Sequence, residues 1–308
     1  MPEQLCNLAI PGPIALSWSP ATVTEAPAMT VLLSDADFRD THVFIAGGSS
    51  GINLGIAHRF AEMGARLSIC SRSAERVEGA VGALQAHGGD AFGTSADVRD
   101  YAQIDGALQE AVARHGPIHT LIAGQAGNFV APALGISANG FKTVVDIDLN
   151  GSFNVFRAGF DRLVKPGASC IAISAPQAIH AYTFQTHVCA AKAGLDMLCR
   201  GLALEWAPMG VRVNTIIPGP IEGTEGMERL APSDQAKRAA AEMTPMKRFG
   251  RKSEVGDAAL FLASPMAAYI TGGNIPVDGG TVLTGSSSMS RGMEMAFEGA
   301  AQAARSRG

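Results

Sequence analysis

The chain has 308 residues, of which 47% are hydrophobic and 17% are charged, and its formal net charge is −4. This composition suits one large α/β domain and, without a basic run, argues against nucleic acid as a partner. No apolar run reaches membrane-spanning length, and the five cysteines show neither CxxC nor metal-ligand spacing. We therefore expect a reducing, cytoplasmic location, no metal site and no membrane partner.

Strand-like and helix-like patterns alternate through most of the chain. The predicted strands are 42–46, 66–71, 91–95, 118–123, 169–174, 211–217 and 275–277. The predicted helices are 52–63, 74–87, 101–115, 138–160 (as one helix or two), 188–206 and 254–263. Regular alternation predicts a single Rossmann-like, doubly wound parallel sheet with helices on both faces, and ligands at the carboxyl ends of its strands.

The two ends of the chain differ from this pattern. Prolines interrupt residues 1–37, which lack a signal-peptide pattern and are expected to form a flexible arm. Residues 38–285 are expected to form the folded domain, with a polar, Met-rich substrate lid at about 222–250. Residues 286–308 are expected to form a tail with a short helix from Met289.

A glycine-rich turn, Gly47-x-x-x-Gly51-x-Asn53, joins the first predicted strand to the first predicted helix. The free backbone N–H groups and the positive dipole at such a helix start form an anion site, which usually binds the pyrophosphate of a dinucleotide. A purely structural turn is the alternative. The expected contacts come from Gly47, Ser49, Ser50, Gly51 and Ile52.

The second predicted strand ends in Ser71-Arg72-Ser73, without the acid that usually binds the ribose hydroxyls of NAD. A guanidinium flanked by two hydroxyls suits the extra 2′-phosphate of NADP, because arginine binds phosphate through two parallel hydrogen bonds. These three residues therefore favour NADP(H) as the cofactor. A solvated surface arginine is the competing interpretation of Arg72.

The glycine turn resembles the TGxxxGxG turn of the short-chain dehydrogenase/reductase family, with Ala46 and Asn53 as departures. We expect the Asn53 side chain either to crowd the helix against the strand or to lie beside the phosphate. The resemblance implies that Asp97 and the Val98 backbone bind adenine, although Asp97 could instead cap a helix. It also implies nicotinamide contacts at Pro218, Gly219 and Ile221, and a pyrophosphate contact at Thr224.

The catalytic positions depart furthest from that family, whose usual pattern is Ser followed by Tyr-x-x-x-Lys. Ser174 and Lys192 are present, but Val188 stands at the tyrosine position and cannot donate a proton. Asp148 stands where the family has an asparagine.

These changes resemble the peroxisomal-type 2,4-dienoyl-CoA reductases, as do the stretches AGNF at 126–129 and FKTVVDID at 141–148. The resemblance implies NADPH-dependent reduction of an unsaturated acyl-CoA, a homotetramer, and a proton relayed through a water held by Asp148 and Lys192. Lys192 would also bind the nicotinamide ribose. The implied substrate contacts are Asn128 at the thioester carbonyl, Phe129 at the acyl tunnel, and Arg99 and Arg229 at the phosphates of coenzyme A.

Alternatives remain open at several of these positions. Asp148, Lys192 and the two arginines could be solvated surface residues, and Met227, Met243 and Met246 could be core rather than an adaptable acyl pocket. His187 could simply start a helix, and the sequence does not place Tyr182. Two other functions are therefore considered: a carbonyl reductase or alcohol dehydrogenase using Tyr182 or His187 as acid, and a catalytically inert NADP-binding sensor.

Overall fold

The computed structural model describes residues 38–231, 233–285 and Gly292. The predicted N-terminal arm and the helix predicted from Met289 lie outside this described part. Of the cysteines, Cys70, Cys170, Cys189 and Cys199 are free. No helix in the described part is both long and apolar enough to cross a membrane. The cytoplasmic location stays a prediction.

The described strands form one parallel sheet of seven strands, as predicted, in the order β3-β2-β1-β4-β5-β6-β7. The order reverses between β1 and β4, which creates a crevice at their carboxyl ends, where a doubly wound sheet binds its ligand. The strands are β1 (His42–Ala46), β2 (Arg66–Ser71), β3 (Ala91–Ser95), β4 (Thr120–Ala123), β5 (Ser169–Ile173), β6 (Arg212–Pro218) and β7 (Asn274–Val277).

Two apolar cores, one on each face of the sheet, hold the helices in place. Helices α1, α2 and α9 cover one face, and α3, α5 and α6 cover the other. The α-helices of the described part are α1 (Gly51–Glu62), α2 (Ala74–Gln85), α3 (Tyr101–His115), α4 (Ala138–Val145), α5 (Gly151–Gly159), α6 (Thr186–Trp206), α7 (Glu225–Leu230), α8 (Asp234–Met243) and α9 (Lys252–Ala263).

Several element bounds differ from the sequence prediction by one or two residues, and three of the differences reflect a distinct structural feature. Strand β4 begins at Thr120 because Ile118 forms an isolated bridge to Leu163 instead of joining the ladder. Strand β6 is shifted by one residue, since Pro218 still pairs with Val277. The segment 138–160, predicted as one helix or two, contains α4 and α5 with a π-helical turn between them, Asp146–Asn150, which is part of the site described below.

A buried chain of polar groups lies at the opposite end of the sheet from the crevice. His42 Nε2 lies 2.8 Å from Ser68 Oγ, which lies 2.9 Å from His115 Nδ1, and the His115 ring reaches Asp90 at 3.3 Å. The other ring nitrogen of His42 lies 2.7 Å from the Gly116 carbonyl oxygen. Burial lowers the pKa of His42 from 6.5 to about 4, so this ring is neutral in the folded protein at pH 7.

Folding should weaken in mild acid because of His42. Between pH 6.5 and pH 4 the unfolded chain binds a proton at this residue that the folded chain does not, so stability falls as the pH falls. The free energy of unfolding should drop by about 2 kcal/mol between pH 7 and pH 5 from this group. Urea denaturation of the wild type and of His42→Gln measures the effect. Equal pH dependence in the two proteins would contradict it.

Candidate active site

A cleft of about 840 Å³ runs along the carboxyl ends of the central strands. This volume is in the range of cofactor and substrate sites. Nearly all of the residues singled out from the sequence line it. These are Gly47, Ser49, Ser50, Gly51, Ile52, Ser71, Arg72, Ser73, Asp97, Val98, Asn128, Asp148, Ser174, Lys192, Pro218, Gly219, Ile221 and Thr224.

The start of α1 forms the floor of the cleft beside the glycine turn. Ser50 precedes the helix in an extended conformation and its side chain does not cap the helix, so the first N–H groups have no side-chain partner there. Gly51 has a φ of +59°, which favours glycine, and the space beside its Cα is open. This open cradle of backbone donors fits a dinucleotide pyrophosphate.

Asn53, the residue in place of the third glycine, ties the turn to the loop after β4. Its amide nitrogen donates to the carbonyl oxygens of Gly124, at 2.6 Å, and Gly47, at 3.3 Å. A Cβ on Gly124 would lie only 2.2 Å from Asn53 Oδ1. The missing side chain at 124 therefore makes room for the Asn53 side chain, and the residues at the two positions compensate for each other.

The end of β2 lies at one end of the cleft. Ser49 Oγ donates to Ser71 Oγ at 2.7 Å, and the exposed Arg72 follows. Arg76, on the first turn of α2, also lines the cleft and forms a 3.2 Å ion pair with Glu225 of α7. Two arginines therefore lie at this end, of which sequence reasoning found only the first.

Asp97 and Arg99 are bound to each other. The Arg99 guanidinium reaches Asp97 Oδ2 at 2.5 Å, and the Arg99 backbone N–H also donates to Asp97, at 3.0 Å. These hydrogen bonds lower the pKa of Asp97. Asp97 lines the cleft whereas Arg99 does not, so the structure does not place the Arg99 side chain at the substrate.

Asp148 sits in the π-helical turn between α4 and α5 and is almost fully buried. Such turns are frequent at functional sites because they redirect side chains out of the regular helical pattern. Asp148 Oδ1 accepts a 2.6 Å hydrogen bond from the Gly127 N–H, and Oδ2 has no hydrogen bond within the described part of the chain. Asp148 is therefore not the solvated helix acid considered as an alternative.

Lys192, on α6, is buried and faces this carboxylate. Its Nζ lies 3.2 Å from Asp148 Oδ2 and donates to the Ile173 carbonyl oxygen at 2.9 Å. Burying an ammonium is costly unless it is paired and hydrogen-bonded, and both conditions are met here. One of its three N–H groups has no partner in the described residues and can reach a ligand in the cleft.

Val188 and Ser174 also line the cleft. Val188 lies one helical turn before Lys192 on α6, and Ser174 follows Ile173, whose carbonyl oxygen accepts from Lys192. Val188, at the position of the usual tyrosine, contributes only an apolar surface. Ser174 is buried near Asp196: burial raises the pKa of that carboxyl and the Ser174 hydroxyl opposes the shift, although no hydrogen bond of normal geometry joins this hydroxyl to the described residues. Asp148, Lys192 and Ser174 are thus among the buried polar groups that line the cleft, and no phenol stands one turn before the lysine.

Phe129 is placed differently from the prediction. Its ring stacks on His187 with ring centroids 4.2 Å apart, and it is not among the residues that line the cleft. His187 is fully buried, and its Nε2 lies 3.1 Å from the Phe129 carbonyl oxygen. Both residues support the loop after β4, on which the exposed Asn128 reaches the cleft.

The predicted lid follows β6 and contains α7 and α8. Ile221 is buried and forms a bridge to Gly250 that joins the two ends of the lid, and Thr224 caps α7 through the Met227 N–H. Met227 is buried and lines the cleft, whereas Met243 and Met246 are exposed and do not. The side chain of Arg229 lies outside the described part of the structure.

The cleft-lining residues that sequence reasoning missed include Arg76, Gln177 and Thr281. Arg76 is one helical turn beyond Arg72, a spacing that could have revealed it. Gln177 lies in a short turn after β5 and Thr281 in the turn after β7, and no local pattern marks either position. Tyr182, which the sequence could not place, also lines the cleft and is buried.

A family described as Enoyl-(Acyl carrier protein) reductase matches residues 46–282. The chain belongs to the short-chain dehydrogenase/reductase family, and it is an oxidoreductase of that family. Among solved structures, levodione reductase is similar with a TM-score of 0.75 and 28% identity, covering 80% of this chain and 99% of that one. These matches confirm the predicted family and its Rossmann-like fold.

Curated relatives include a peroxisomal 2,4-dienoyl-CoA reductase of Pongo abelii, 40% identical over 84% of this chain and 89% of the relative. A probable 2,4-dienoyl-CoA reductase of Bacillus subtilis is 36% identical over 77% of this chain and 95% of the relative. An NADPH-bound short-chain oxidoreductase of Pseudomonas aeruginosa PAO1 with an atypical catalytic centre has a TM-score of 0.75 and 29% identity, covering 79% and 97% of the two chains. The predicted resemblance to dienoyl-CoA reductases is confirmed.

Proposed function

We propose that this oxidoreductase is an NADPH-dependent reductase of unsaturated acyl-CoA thioesters of the 2,4-dienoyl type. The observation that carries the proposal is the buried Asp148–Lys192 pair facing a cleft in which Val188 replaces the phenol. A carbonyl reductase needs an acid that protonates oxygen, whereas a dienoyl reductase needs one that protonates carbon. The names of the curated relatives support the second chemistry.

The proposed reaction adds one hydrogen at each end of the conjugated diene, at the δ-carbon and at the α-carbon. One double bond remains, between the β- and γ-carbons. NADPH, when bound, supplies a hydride to the δ-carbon of the dienoyl group. The electron pairs of the two double bonds then shift toward the thioester, so that negative charge collects on its carbonyl oxygen as a dienolate. A proton added at the α-carbon completes a 3-enoyl-CoA, and no alcohol forms.

Asp148 and Lys192 are proposed to deliver that proton through a water molecule. Asp148 Oδ2 has a free acceptor position, and Lys192 has a free donor beside it. A water bonded to both would have the polar partners that an ordered buried water needs. It would give its proton to the α-carbon and recover one from solvent, while Lys192 also binds the nicotinamide ribose. Ser174 is proposed to orient the nicotinamide or the substrate with its hydroxyl, because this residue lines the cleft.

The other cofactor contacts follow from the lining of the cleft. The residues at the start of α1 would bind the pyrophosphate, Asp97 and Val98 the adenine, and the loop from Pro218 to Ile221 the carboxamide, with Thr224 near the pyrophosphate. At the substrate end, Asn128 would donate to the thioester carbonyl and Met227 would pack on the acyl chain. A coenzyme A contact of Arg229 remains a proposal from the resemblance.

Arg72 should determine the preference for NADPH over NADH. Arg72→Glu replaces a phosphate-binding cation with an anion, so the ratio of kcat/KM for NADPH to that for NADH should fall by about a hundredfold. Steady-state kinetics with each nucleotide measures this ratio. Arg157→Glu, on the exposed face of α5, is the matched control and should leave the ratio unchanged. An unaltered ratio in Arg72→Glu would show that a residue other than Arg72 recognises the 2′-phosphate of NADPH.

We also propose that the protein is a homotetramer, as its resemblance to the family implies. Apolar side chains remain exposed on helices of one face of the sheet: Phe153 on α5 is 46% exposed, and Met197 and Leu204 on α6 are 62% and 81% exposed. Met197 and Leu204 lie two helical turns apart on one stripe, which is a suitable surface for a second copy. The mass measured by light scattering tests this assembly.

Carbonyl reduction by Tyr182 is the second candidate, because this phenol does line the cleft. However, burial raises the pKa of Tyr182, with Cys189 and Asp278 adding to the shift, so the phenol is a weaker acid than usual. A phenol that protonates a carbonyl in this family is activated by its lysine. The environment of Tyr182 therefore favours the dienoyl reaction over the carbonyl one.

The proposal is tested by following NADPH oxidation with purified protein and either 2,4-hexadienoyl-CoA or a panel of simple ketones. The expected result is turnover of the thioester and little turnover of ketones. Turnover of ketones alone would favour the carbonyl reductase. NADPH binding without turnover of any substrate would favour the inert sensor.

A further inference from the structure

Tyr182 is held rigidly at the substrate end of the cleft. It lies in the loop between β5 and α6, and its side chain is 3% exposed. Its backbone N–H donates to Cys189 Sγ at 3.4 Å, which anchors the loop to α6. Two residues earlier, His180 Nε2 lies 2.7 Å from the Val282 carbonyl oxygen, which anchors the loop to the turn after β7. The loop that carries Tyr182 is therefore anchored on both sides of this residue.

The hydroxyl of Tyr182 has no hydrogen-bond partner in the part of the chain that the structure describes. A buried tyrosine hydroxyl normally finds a partner, so this one is free for a group that enters the cleft. Because burial raises its pKa, the phenol keeps its proton at neutral pH and presents a donor. The missing partner should therefore be an acceptor.

The acceptor that best fits this position is the carbonyl oxygen of the substrate. Tyr182 lines the same cleft as Val188 and Ser174, and the contact of its backbone N–H with Cys189 Sγ places it beside the stretch of α6 that carries Val188 and Lys192. In the proposed reaction the thioester oxygen is the one substrate atom near the buried ion pair on which negative charge develops. Donors fixed in advance at such an atom stabilise the transition state more than the ground state.

We infer that Tyr182 is a catalytic residue that donates a hydrogen bond to the thioester carbonyl oxygen and stabilises the dienolate. The phenol keeps its proton throughout, since the proton that reaches the α-carbon comes from the water on Asp148 and Lys192. Tyr182 therefore acts as an oxyanion donor together with the proposed donor Asn128, and does not replace the missing family tyrosine. This inference rests on the proposed dienoyl-CoA reductase function.

Tyr182→Phe tests the inference because it removes the hydroxyl and keeps the ring that forms the cleft wall. With 2,4-hexadienoyl-CoA, kcat should fall by about a hundredfold, as for the loss of one oxyanion donor. The Kd for NADPH should not change. Tyr269→Phe is the matched control, because the Tyr269 ring is fully exposed, and it should match the wild type in both measurements.

A spectroscopic measurement separates this role from a merely structural one. In the inert complex of enzyme, NADP⁺ and 2,4-hexadienoyl-CoA, a donor on the carbonyl polarises the conjugated thioester and moves its ultraviolet band to longer wavelength. The wild type should show this shift, and Tyr182→Phe should lose much of it. The wild-type measurement does not depend on the folding of any variant.

The outcomes distinguish this inference from the proposed function. Wild-type turnover together with an unchanged kcat and an unchanged band in Tyr182→Phe would overturn the role of Tyr182 and leave the function standing. A wild-type complex with no band shift would also overturn it. No wild-type turnover of the dienoyl thioester would overturn the function and this inference together.

Discussion

Asp148→Asn should lower kcat for a dienoyl-CoA by about a hundredfold or more, the range typical of general acid–base groups. Asparagine keeps the shape and an oxygen that can accept from the Gly127 N–H, but it cannot carry a proton to or from the bound water. Lys192 would still donate to the Ile173 carbonyl oxygen, so its contact with the ribose should survive. Steady-state kinetics and NADPH titration by fluorescence measure the two effects separately.

Asp146→Asn is the matched control for this change. Asp146 lies in the same π-helical turn, but it pairs with Lys142 on the outside of the helix and does not line the cleft. It should therefore retain near wild-type turnover. Normal turnover in Asp148→Asn would rule out the proton relay, and an equal loss in both variants would point to damage to the turn itself.

Gly124→Ala should destabilise the protein by about 3 kcal/mol, because the new methyl group overlaps a side chain that cannot move freely. The added Cβ would lie 2.2 Å from Asn53 Oδ1, and the Asn53 amide is held by two carbonyl oxygens. The change in the free energy of unfolding is measured by urea denaturation. Gly79→Ala, where an added Cβ meets no atom within 4 Å, should cost little or nothing.

A double-mutant cycle measured by the same urea denaturation tests whether positions 53 and 124 compensate for each other. Asn53→Gly alone should also destabilise, since it removes two hydrogen bonds and puts a glycine in α1. Combined with Gly124→Ala it removes the overlap, so the double variant should be more stable than the sum of the single changes predicts. Strictly additive effects would show that the two positions are independent.

Much of the fold could be predicted because its signals are local. Strands β1, β2 and β3 and helix α3 have the predicted bounds, since each is marked by an apolar period with turn residues or a cap beside it. The sequence left one helix or two open at 138–160, but it could not place the break or predict its π-helical form. The π-helical turn Asp146–Asn150 depends on how α4 and α5 pack against different partners, and neither glycine nor proline marks its start.

The candidate site was predictable where it consists of backbone at the ends of strands, and less so where it depends on side-chain partners. The motif spacing identified Asp148 and Lys192, but their burial and their direct pairing come from two helices meeting in space. The sequence likewise gave no sign that Arg99 would bind Asp97, or that the Phe129 ring would stack on His187. Each of these depends on side-chain directions that spacing alone does not specify.

The fate of the hydride and of the proton tests the central claim most directly. NADPH carrying deuterium at the transferred position of its C4 should be incubated with 2,4-hexadienoyl-CoA in ordinary water, and the product examined by NMR and mass spectrometry. The account predicts a 3-enoyl-CoA with one deuterium at the δ-carbon and a solvent proton at the α-carbon. An alcohol with deuterium at the former carbonyl carbon, or a product without deuterium, would contradict it.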